Sequence, residues 1–453
     1  MFRNKQNYQL GLTIIFFAFL YWNWKKWSVI TPQELPQQSS SEVSNSLNGG
    51  FYYETSIEGI KKNKYLSADY RIWIPQDIKK IRGLIVKQHG CGSESGKKGL
   101  NHANDLQWQA LALKHQFALM GTKMSGEYPM CSNEAIRDRA AETTFLKAMS
   151  ALAEKTNHSE LNTIPWVMWG HSGGADWGTQ MLEFYPQRTI GVINVHAGGI
   201  RSTSGSSEIL NLNLNSQLTA ELLKVPVLWF VGEKDSYVEE AINLPKAIFN
   251  KFNQENSLWT LAIGQKTGHE TGNTRLLAIP YLDAVITARM TDEGRLQSIN
   301  PNSGWLGNIA TMEIVPASKY QGDLADKVWL PDQETALKWK EHLASDRITP
   351  FRKPNAPTNV TITDVSPTKK IITWDFTPDL ENGLPDFRIY RNGSLIKTLK
   401  GQRYDGGDVT NSPYPILEFR DITISTGSIY TVTAFNQRGE NSSTPTTDIP
   451  QLN

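Results

Sequence analysis

Between Phe51 and about Met290 the sequence alternates short runs of β-branched and aromatic residues with longer stretches whose apolar residues recur at helical spacing. This alternation is typical of parallel strands, because each parallel pair needs a crossover long enough to hold a helix. The helical stretches include residues 137–155 and 175–186. The runs predicted as strands are 70–75, 83–88, 117–121, 165–170, 191–196, 226–232 and 258–264. We therefore predict an α/β fold with a doubly wound, mostly parallel sheet.

The periodicity changes near the C-terminus. After a break with three prolines, Pro350, Pro354 and Pro357, apolar residues alternate with polar ones and turn signals such as Asn392-Gly393 appear. Short alternating strands joined by tight turns predict a small all-β sandwich. The expected organisation is an α/β domain at 51–349 with a C-terminal extension at 291–349, a linker at 350–356, and a β domain at 357–453.

The N-terminus carries a signature of export. Arg3 and Lys5 precede an apolar stretch from Leu10 to Trp22, which is shorter than a full membrane span. Residues 1–28 are therefore predicted to be a signal peptide, or a membrane anchor if they are not cleaved. Residues 29–50 are rich in Pro, Gln, Ser and Asn and are predicted to be a disordered linker. The expected location is secreted or attached to the cell envelope.

Charge and cysteine content narrow the classes of partner and compartment. Lys plus Arg (46) nearly balances Asp plus Glu (45), so we expect no nucleic-acid partner. The two cysteines, Cys91 and Cys131, can form one bridge in an exported chain, which would stabilise it by about 3 to 4 kcal/mol. Two buried free thiols are the alternative.

The strongest chemical signal is GHSGG at 170–174, between a predicted strand and a predicted helix. A sharp strand-to-helix turn exposes the serine hydroxyl, and glycines at 170 and 174 remove side chains that would collide there. This nucleophile elbow comprises Gly170, His171, Ser172 and Gly174. Ser172 is the candidate nucleophile.

A serine nucleophile needs a base, and the base needs an acid to orient it. His269 lies in a loop after a predicted strand, and Asp235 lies just past the preceding one, giving the chain order Ser, Asp, His. His196 is the alternative base and Glu233 the alternative acid. His102, His115, His158 and His342 are expected to be solvated or to pack.

The tetrahedral intermediate of acyl transfer needs two backbone donors. One is expected from the amide of Gly173, and the other from the amide of Cys91 in the HGCGSESG turn after the strand at 83–88. Spacings typical of metal ligands and phosphate-binding loops are absent from the sequence, so we predict neither a metal nor a cofactor.

These motifs, strand-HGCGS, strand-GHSGG, GEKD and GHE in this order, resemble the α/β-hydrolase superfamily. The similarity is greatest to secreted esterases such as polyhydroxybutyrate depolymerases, feruloyl and acetylxylan esterases and dienelactone-hydrolase-like proteins. The resemblance implies that Ser172, Asp235 and His269 form a catalytic triad, that the Cys91 amide is an oxyanion donor, and that Cys91 pairs with Cys131.

Residues 356–449 resemble a fibronectin type III module. Trp374 in IITWD matches its core tryptophan and Tyr430 in YTVTAFNQRGE its corner tyrosine. Such modules act as spacers or docking units in extracellular enzymes, which implies contact with an extracellular polysaccharide or surface.

Three hypotheses about function follow from these patterns. The first is a secreted serine hydrolase that cleaves small or polymeric esters, including polysaccharide-linked and polyester substrates, through an acyl-enzyme. The second is a serine peptidase on the same fold, and the third is an inactive extracellular adhesion or scaffold protein.

Overall fold

The computed structural model describes residues 49–59, 65–91, 98–126, 139–199, 216–253, 257–322, 326–345, 348–366, 369–401, 408, 417–422 and 427–447. The predicted export segment, nearly all of the predicted disordered linker and Cys131 lie outside these residues. Among the described residues, no helix is both long enough and apolar enough to span a membrane.

The main sheet has eight strands in the order β1-β2-β4-β3-β5-β6-β7-β8. Strands β3 to β8 run parallel, and β1 and β2 are antiparallel at one edge. Each of the seven predicted strands overlaps one of these, whereas β1 was not predicted. The strands are β1 (Gly50–Glu58), β2 (Tyr65–Pro75), β3 (Gly83–Gln88), β4 (Phe117–Gly126), β5 (Trp166–His171), β6 (Thr189–Val195), β7 (Val227–Gly232) and β8 (Trp259–Gly264).

Seven α-helices occur in the described part of the chain. They are α1 (Leu106–His115), α2 (Ala140–Thr156), α3 (Gly173–Phe184), α4 (Ser216–Leu223), α5 (Leu244–Asn253), α6 (Arg275–Arg289) and α7 (Gln333–Ser345). Helix α6 contacts both α1 and α7, while α2 packs against α3 through Phe145 and Trp177. These two groups cover opposite faces of the sheet, because right-handed crossovers change side where the strand order reverses. The central strands are therefore buried on both faces.

The predicted extension contains a small sheet that the sequence did not indicate. Its strands are β9 (Trp305–Asn308), β10 (Ile314–Pro316) and β11 (Lys327–Leu330). Val328, Trp329 and Leu330 belong to the main hydrophobic core, and the indole N–H of Trp339 donates to the carbonyl of Leu261 at 2.8 Å. This segment is therefore continuous with the core of the α/β region.

The C-terminal part consists of two antiparallel sheets, which we call the C-terminal sheets. One has the order β12-β13-β16, and the other β15-β14-β17-β18, with β19 beside β17. Trp374 and Tyr430 are buried in a second core between these strands, where Trp374 packs against Phe387. The strands are β12 (Thr358–Ser366), β13 (Lys369–Asp375), β14 (Asp386–Arg391), β15 (Ser394–Leu399), β16 (Glu418–Asp421), β17 (Ile429–Asn436), β18 (Gly439–Ser442) and β19 (Thr446–Thr447).

Candidate active site

Ser172 lies at the sharp turn between β5 and α3. Its backbone adopts φ 53° and ψ −127°, a conformation that residues with a side chain rarely accept. The chain folds this tightly because two glycines meet under the turn: a Cβ on Gly170 would lie 2.2 Å from the carbonyl oxygen of Gly174. The local sequence therefore supports a strained elbow that holds the serine at the carboxyl end of the sheet.

The structure brings Ser172, His269 and Asp235 together. The Oγ of Ser172 is 3.0 Å from Nε2 of His269, and Nδ1 of His269 is 2.7 Å from Oδ2 of Asp235. These distances form one relay: the hydroxyl donates to Nε2 while the Nδ1–H donates to the carboxylate. His269 reaches the serine from the loop after β8, and Asp235 reaches His269 from the loop after β7.

Asp235 is held as a carboxylate. Burial would raise its pKa, but interactions with His196, the backbone N–H of Tyr237 and His269 lower that pKa to about 2. The Tyr237 amide donates to Oδ1 at 2.9 Å, which leaves Oδ2 directed at the imidazole of His269. The side chain of Asp235 is therefore a charged carboxylate near neutral pH.

His196 contacts the same carboxylate but does not reach the serine. Its Nδ1 lies 3.3 Å from Oδ2 of Asp235, a contact that is longer and less well aligned than that of His269. Its ring packs 5.8 Å, centre to centre, from that of His269. The alternative acid, Glu233, is half exposed and lies near Lys246. Of the candidates raised by the sequence, only His269 and Asp235 complete the chain of contacts to Ser172 among the described residues.

His171 lies beside His269. Its Nε2 is 2.8 Å from the carbonyl oxygen of His269, and burial lowers its pKa to about 3. A neutral imidazole can serve a carbonyl only by donating, so the proton is assigned to Nε2. His171 thus ties the loop of the base to the elbow.

The HGC turn lies against the elbow. A Cβ on Gly90 would lie 3.1 Å from the Cβ of Ser172, so the turn packs tightly against the elbow. His89 holds the turn through two hydrogen bonds. Its Nε2 accepts from the Met124 amide at 3.1 Å, and its Nδ1–H donates to the carbonyl of Gly90. Burial lowers the pKa of His89 to about 4, which keeps it neutral in these roles. The Cys91 and Gly173 amides therefore belong to two segments that meet at the nucleophile.

One side of the site is open to solvent. The side chain of His269 is 26% exposed, and the ring of Tyr237, itself 57% exposed, lies 4.6 Å from it. Tyr237 precedes a π-helix, Val238–Asn243, a rare element that is frequent at functional sites. Reactants can therefore reach the imidazole past Tyr237.

The other residues singled out in the sequence lie elsewhere. His102 and His342 are buried, His115 pairs with Asp283 and His158 with Glu160. In the described ranges, no group of His, Cys, Asp or Glu is arranged to hold a metal ion.

A cavity of about 580 Å³ is distant from this site. It is lined by Arg82, Gln116 and Pro165, which precede β3, β4 and β5. It therefore lies at the amino ends of the parallel strands, while Ser172 lies at their carboxyl ends.

Comparison with known proteins gives only distant likenesses. No family model matches the chain, and no curated protein sequence matches it. Among solved structures, it is similar to a ferulic acid esterase at 12% identity and TM-score 0.39, over 52% of this chain and 98% of that one. It is also similar to a cold-adapted esterase from an Arctic intertidal metagenomic library at 17% identity and TM-score 0.35, over 54% of this chain and 97% of that one. An S-formylglutathione hydrolase from Staphylococcus aureus aligns at 11% identity and TM-score 0.32, over 53% of this chain and 96% of that one. These likenesses are weak in identity and TM-score, so the function proposed below rests on the geometry of the site.

Proposed function

We propose that this chain is a serine hydrolase that cleaves carboxylic esters through an acyl-enzyme intermediate. The observation that carries the proposal is the contact chain from Ser172 Oγ through His269 to Asp235, at 3.0 and 2.7 Å, on a strained elbow. A hydroxyl is a weak nucleophile near neutral pH, and this arrangement supplies the base that activates it.

Acylation begins when His269 Nε2 takes the proton of Ser172 as Oγ attacks the ester carbonyl carbon. The negative oxygen of the tetrahedral intermediate then accepts hydrogen bonds from the amides of Gly173 and Cys91, our proposed oxyanion hole. The C–O bond to the alcohol breaks, the imidazolium returns its proton to the leaving oxygen, and the acyl group stays on Ser172. Asp235 stabilises the imidazolium while it exists.

Deacylation repeats these steps with water. His269 takes a proton from water, the resulting hydroxide attacks the acyl carbon, and the proton passes back to Ser172 Oγ as the acid leaves. His171 acts in both halves by holding the loop of His269, since its Nε2–H donates to the His269 carbonyl. Atoms and charges balance with no reactant other than ester and water.

A fluorophosphonate probe tests the proposal directly, because it phosphonylates only an activated serine. We expect the full chain to be labelled and to hydrolyse short p-nitrophenyl esters, and both activities to disappear in Ser172→Ala. Ser236→Ala is a matched control, since Ser236 follows Asp235 in the same loop region without a place in the contact chain. Absence of labelling in the folded wild-type chain would favour an inactive adhesion or scaffold protein.

The substrate class is tested with an ester panel and an amide arm. The panel varies acyl length and includes acetylated and feruloylated sugars and hydroxyalkanoate oligomers, which represent the polysaccharide-linked and polyester substrates that we propose. Matched anilides replace the ester oxygen by nitrogen. Anilide turnover comparable with ester turnover would favour the peptidase hypothesis.

We further propose that the protein is exported, that Cys91 pairs with Cys131, and that the C-terminal sheets are a fibronectin type III module. The buried Trp374 and Tyr430 support the last assignment, although the hydroxyl of Tyr430 donates to the side chain of Asp421. Mass spectrometry of the non-reduced protein from the culture medium tests export and the bridge together: a mature chain outside the cells and a linked Cys91–Cys131 peptide are expected.

A further inference from the structure

Four charged side chains lie together inside the protein next to the candidate active site. We call this group the buried ionic cluster: Lys87, Asp105, Arg275 and Asp408. Their side chains are between 0 and 7% exposed. Burial of this much charge is expensive unless the charges are paired, so the contacts within the cluster decide whether it stabilises the fold.

Three members belong to the α/β region, and two of them, Lys87 and Arg275, flank the segments that carry the candidate catalytic groups. Lys87 is the second-to-last residue of β3, two residues before His89 and four before Cys91. Arg275 is the first residue of α6, directly after the loop that contains His269. Asp105 caps the N-terminus of α1, where its carboxylate accepts from the amides of Gln107 and Trp108.

The fourth member, Asp408, belongs to the C-terminal part of the chain, between β15 and β16. Its Oδ2 is 2.8 Å from the ammonium of Lys87, and its Oδ1 accepts from Nε of Arg275 at 2.7 Å and from Nη2 at 2.5 Å. Asp408 thus bridges the end of β3 to the start of α6. It is also close enough to His171 to raise the pKa of that imidazole electrostatically, against the larger effect of burial.

Asp105 cannot replace Asp408 in this role. It pairs with Arg275 Nη2 at 2.7 Å, but its nearer oxygen is 3.7 Å from Lys87, beyond hydrogen-bond distance. The ammonium of Lys87 also donates to the backbone carbonyl of Asp408 at 3.3 Å, and it faces the rings of Trp108 and Trp169 at 4.7 and 4.5 Å from their centres. Without Asp408, the α/β region would bury two cations against one carboxylate.

The C-terminal sheets are attached to the α/β region at a second buried ion pair. Lys338 of α7 pairs with Glu381 at 2.7 Å, and Glu381 also accepts from the amides of Phe351 and Arg352 in the predicted linker. Gln107 donates to the carbonyl of Leu380 at 2.8 Å. The linker residues are therefore fastened to both parts of the molecule.

We propose that the C-terminal part of the chain contributes to the active site through Asp408, a positioning residue which joins the oxyanion turn to the loop of the base. This inference rests on the proposed function, since it assigns Asp408 to the hydrolytic site. Asp408 contacts no reacting atom: it acts by holding Lys87, which precedes the turn of Cys91, and Arg275, which follows the loop of His269.

The test compares Asp408→Asn with Glu381→Gln in the full chain. Both remove one carboxylate charge from a buried ion pair between the same two parts, but only Asp408 touches the segments that flank the catalytic loops. We expect Asp408→Asn to lower kcat about tenfold with little change in KM, since small displacements of catalytic groups have effects of this size or larger. Hydrogen exchange should become faster in residues 88–91 and 269–275. Glu381→Gln should reduce thermal stability and leave kcat and this exchange unchanged.

Unchanged exchange in both loops of a folded Asp408→Asn protein would overturn the proposal, as would equal changes in Glu381→Gln. If Asp408→Asn does not fold, the double variant Lys87→Met/Asp408→Asn keeps one cation against one carboxylate and is judged by the same criteria. The exchange measurement does not depend on the substrate. If the wild-type chain neither hydrolyses esters nor takes up the fluorophosphonate, the proposed function fails, whereas the exchange result alone still decides whether Asp408 holds the two loops.

Discussion

The triad and the buried ionic cluster lie side by side but differ in how a change of charge is tolerated. His269 is 26% exposed, so its imidazole can gain and lose a proton during a reaction without a large cost in solvation. The cluster is at most 7% exposed, and a change in the charge of any member would leave an unpaired ion buried in the protein. The difference teaches that a partly exposed imidazole is suited to proton transfer, whereas the buried ionic cluster is suited to stabilising the fold. Substitutions should therefore separate activity from stability.

The largest expected effect is on turnover, in His269→Ala. Without the base, kcat should fall about ten-thousandfold, because a serine hydroxyl is not activated by any other described side chain. The free energy of unfolding should change by less than about 1 kcal/mol, since the side chain is partly exposed and leaves little cavity. Ester hydrolysis and thermal unfolding measured on the same sample check both halves. A variant that retains near-normal turnover would transfer the role of base to His196.

The next largest effect is on stability, in Asp105→Asn. The substitution keeps an acceptor for the N-terminus of α1 but leaves Lys87 and Arg275 with one carboxylate, so we expect a loss of about 3 kcal/mol in the free energy of unfolding. Asp69→Asn is the control: it removes the partner of Lys123 from a pair that is about one third exposed, and should cost less than about 1 kcal/mol. Equal losses of unfolding free energy in the two variants, measured by chemical denaturation, would contradict the distinction between a buried ion pair and a partly exposed one.

The same contrast explains what the sequence reveals. Ser172, Asp235 and His269 each follow a strand, and the carboxyl ends of parallel strands meet at one edge, so their proximity could be expected from the order of motifs. Asp408 lies 321 residues from Lys87, in a segment whose sequence, GQRYDGGD, is that of an ordinary polar loop. Its contact depends on how the C-terminal sheets dock, which no local pattern encodes. The sequence offers His196 as an alternative base but does not indicate its contact with Asp235.

Differences in the fold have equally local causes. Strand β1 is an edge strand with a mixed burial pattern, and the strands of the small sheet are only three or four residues long. An alternation of apolar and polar residues is not recognisable in strands of three or four residues. The long buried runs, such as VLWFVG and the GLIV part of β3, were predictable because strands covered on both faces are largely apolar.

The neutral histidines around the triad give the third effect, on the pH dependence of stability. Burial lowers the pKa of His89 to about 4 and that of His171 to about 3, from 6.5 in the unfolded chain. Below pH 6.5 the unfolded state therefore binds protons that the native state does not, and stability falls as the pH falls. Between pH 6.5 and 5 each histidine should remove about 2 kcal/mol.

His171→Gln sharpens this prediction. Its amide nitrogen can replace Nε2 as the donor to the His269 carbonyl, but the side chain does not titrate. The loss of stability between pH 6.5 and 5 should therefore be smaller than in the wild type by about 2 kcal/mol, measured by urea denaturation at both pH values. An equal loss of stability in the two proteins between pH 6.5 and 5 would show that His171 is not buried in its neutral form.

The smallest effect concerns His196. This residue is buried, as the ionic cluster is, but it contacts the acid of the triad. Its Nδ1 is 3.3 Å from Asp235, and its backbone has φ 54°, a conformation that asparagine tolerates well. His196→Asn can place an amide N–H near the position of Nδ1, whereas His196→Leu cannot. We expect kcat/KM to fall about tenfold in the leucine variant, the size of one modest hydrogen bond to a charged group, and to stay within about twofold in the asparagine variant. Equal activities in the two variants would show that His196 only fills space beside the triad.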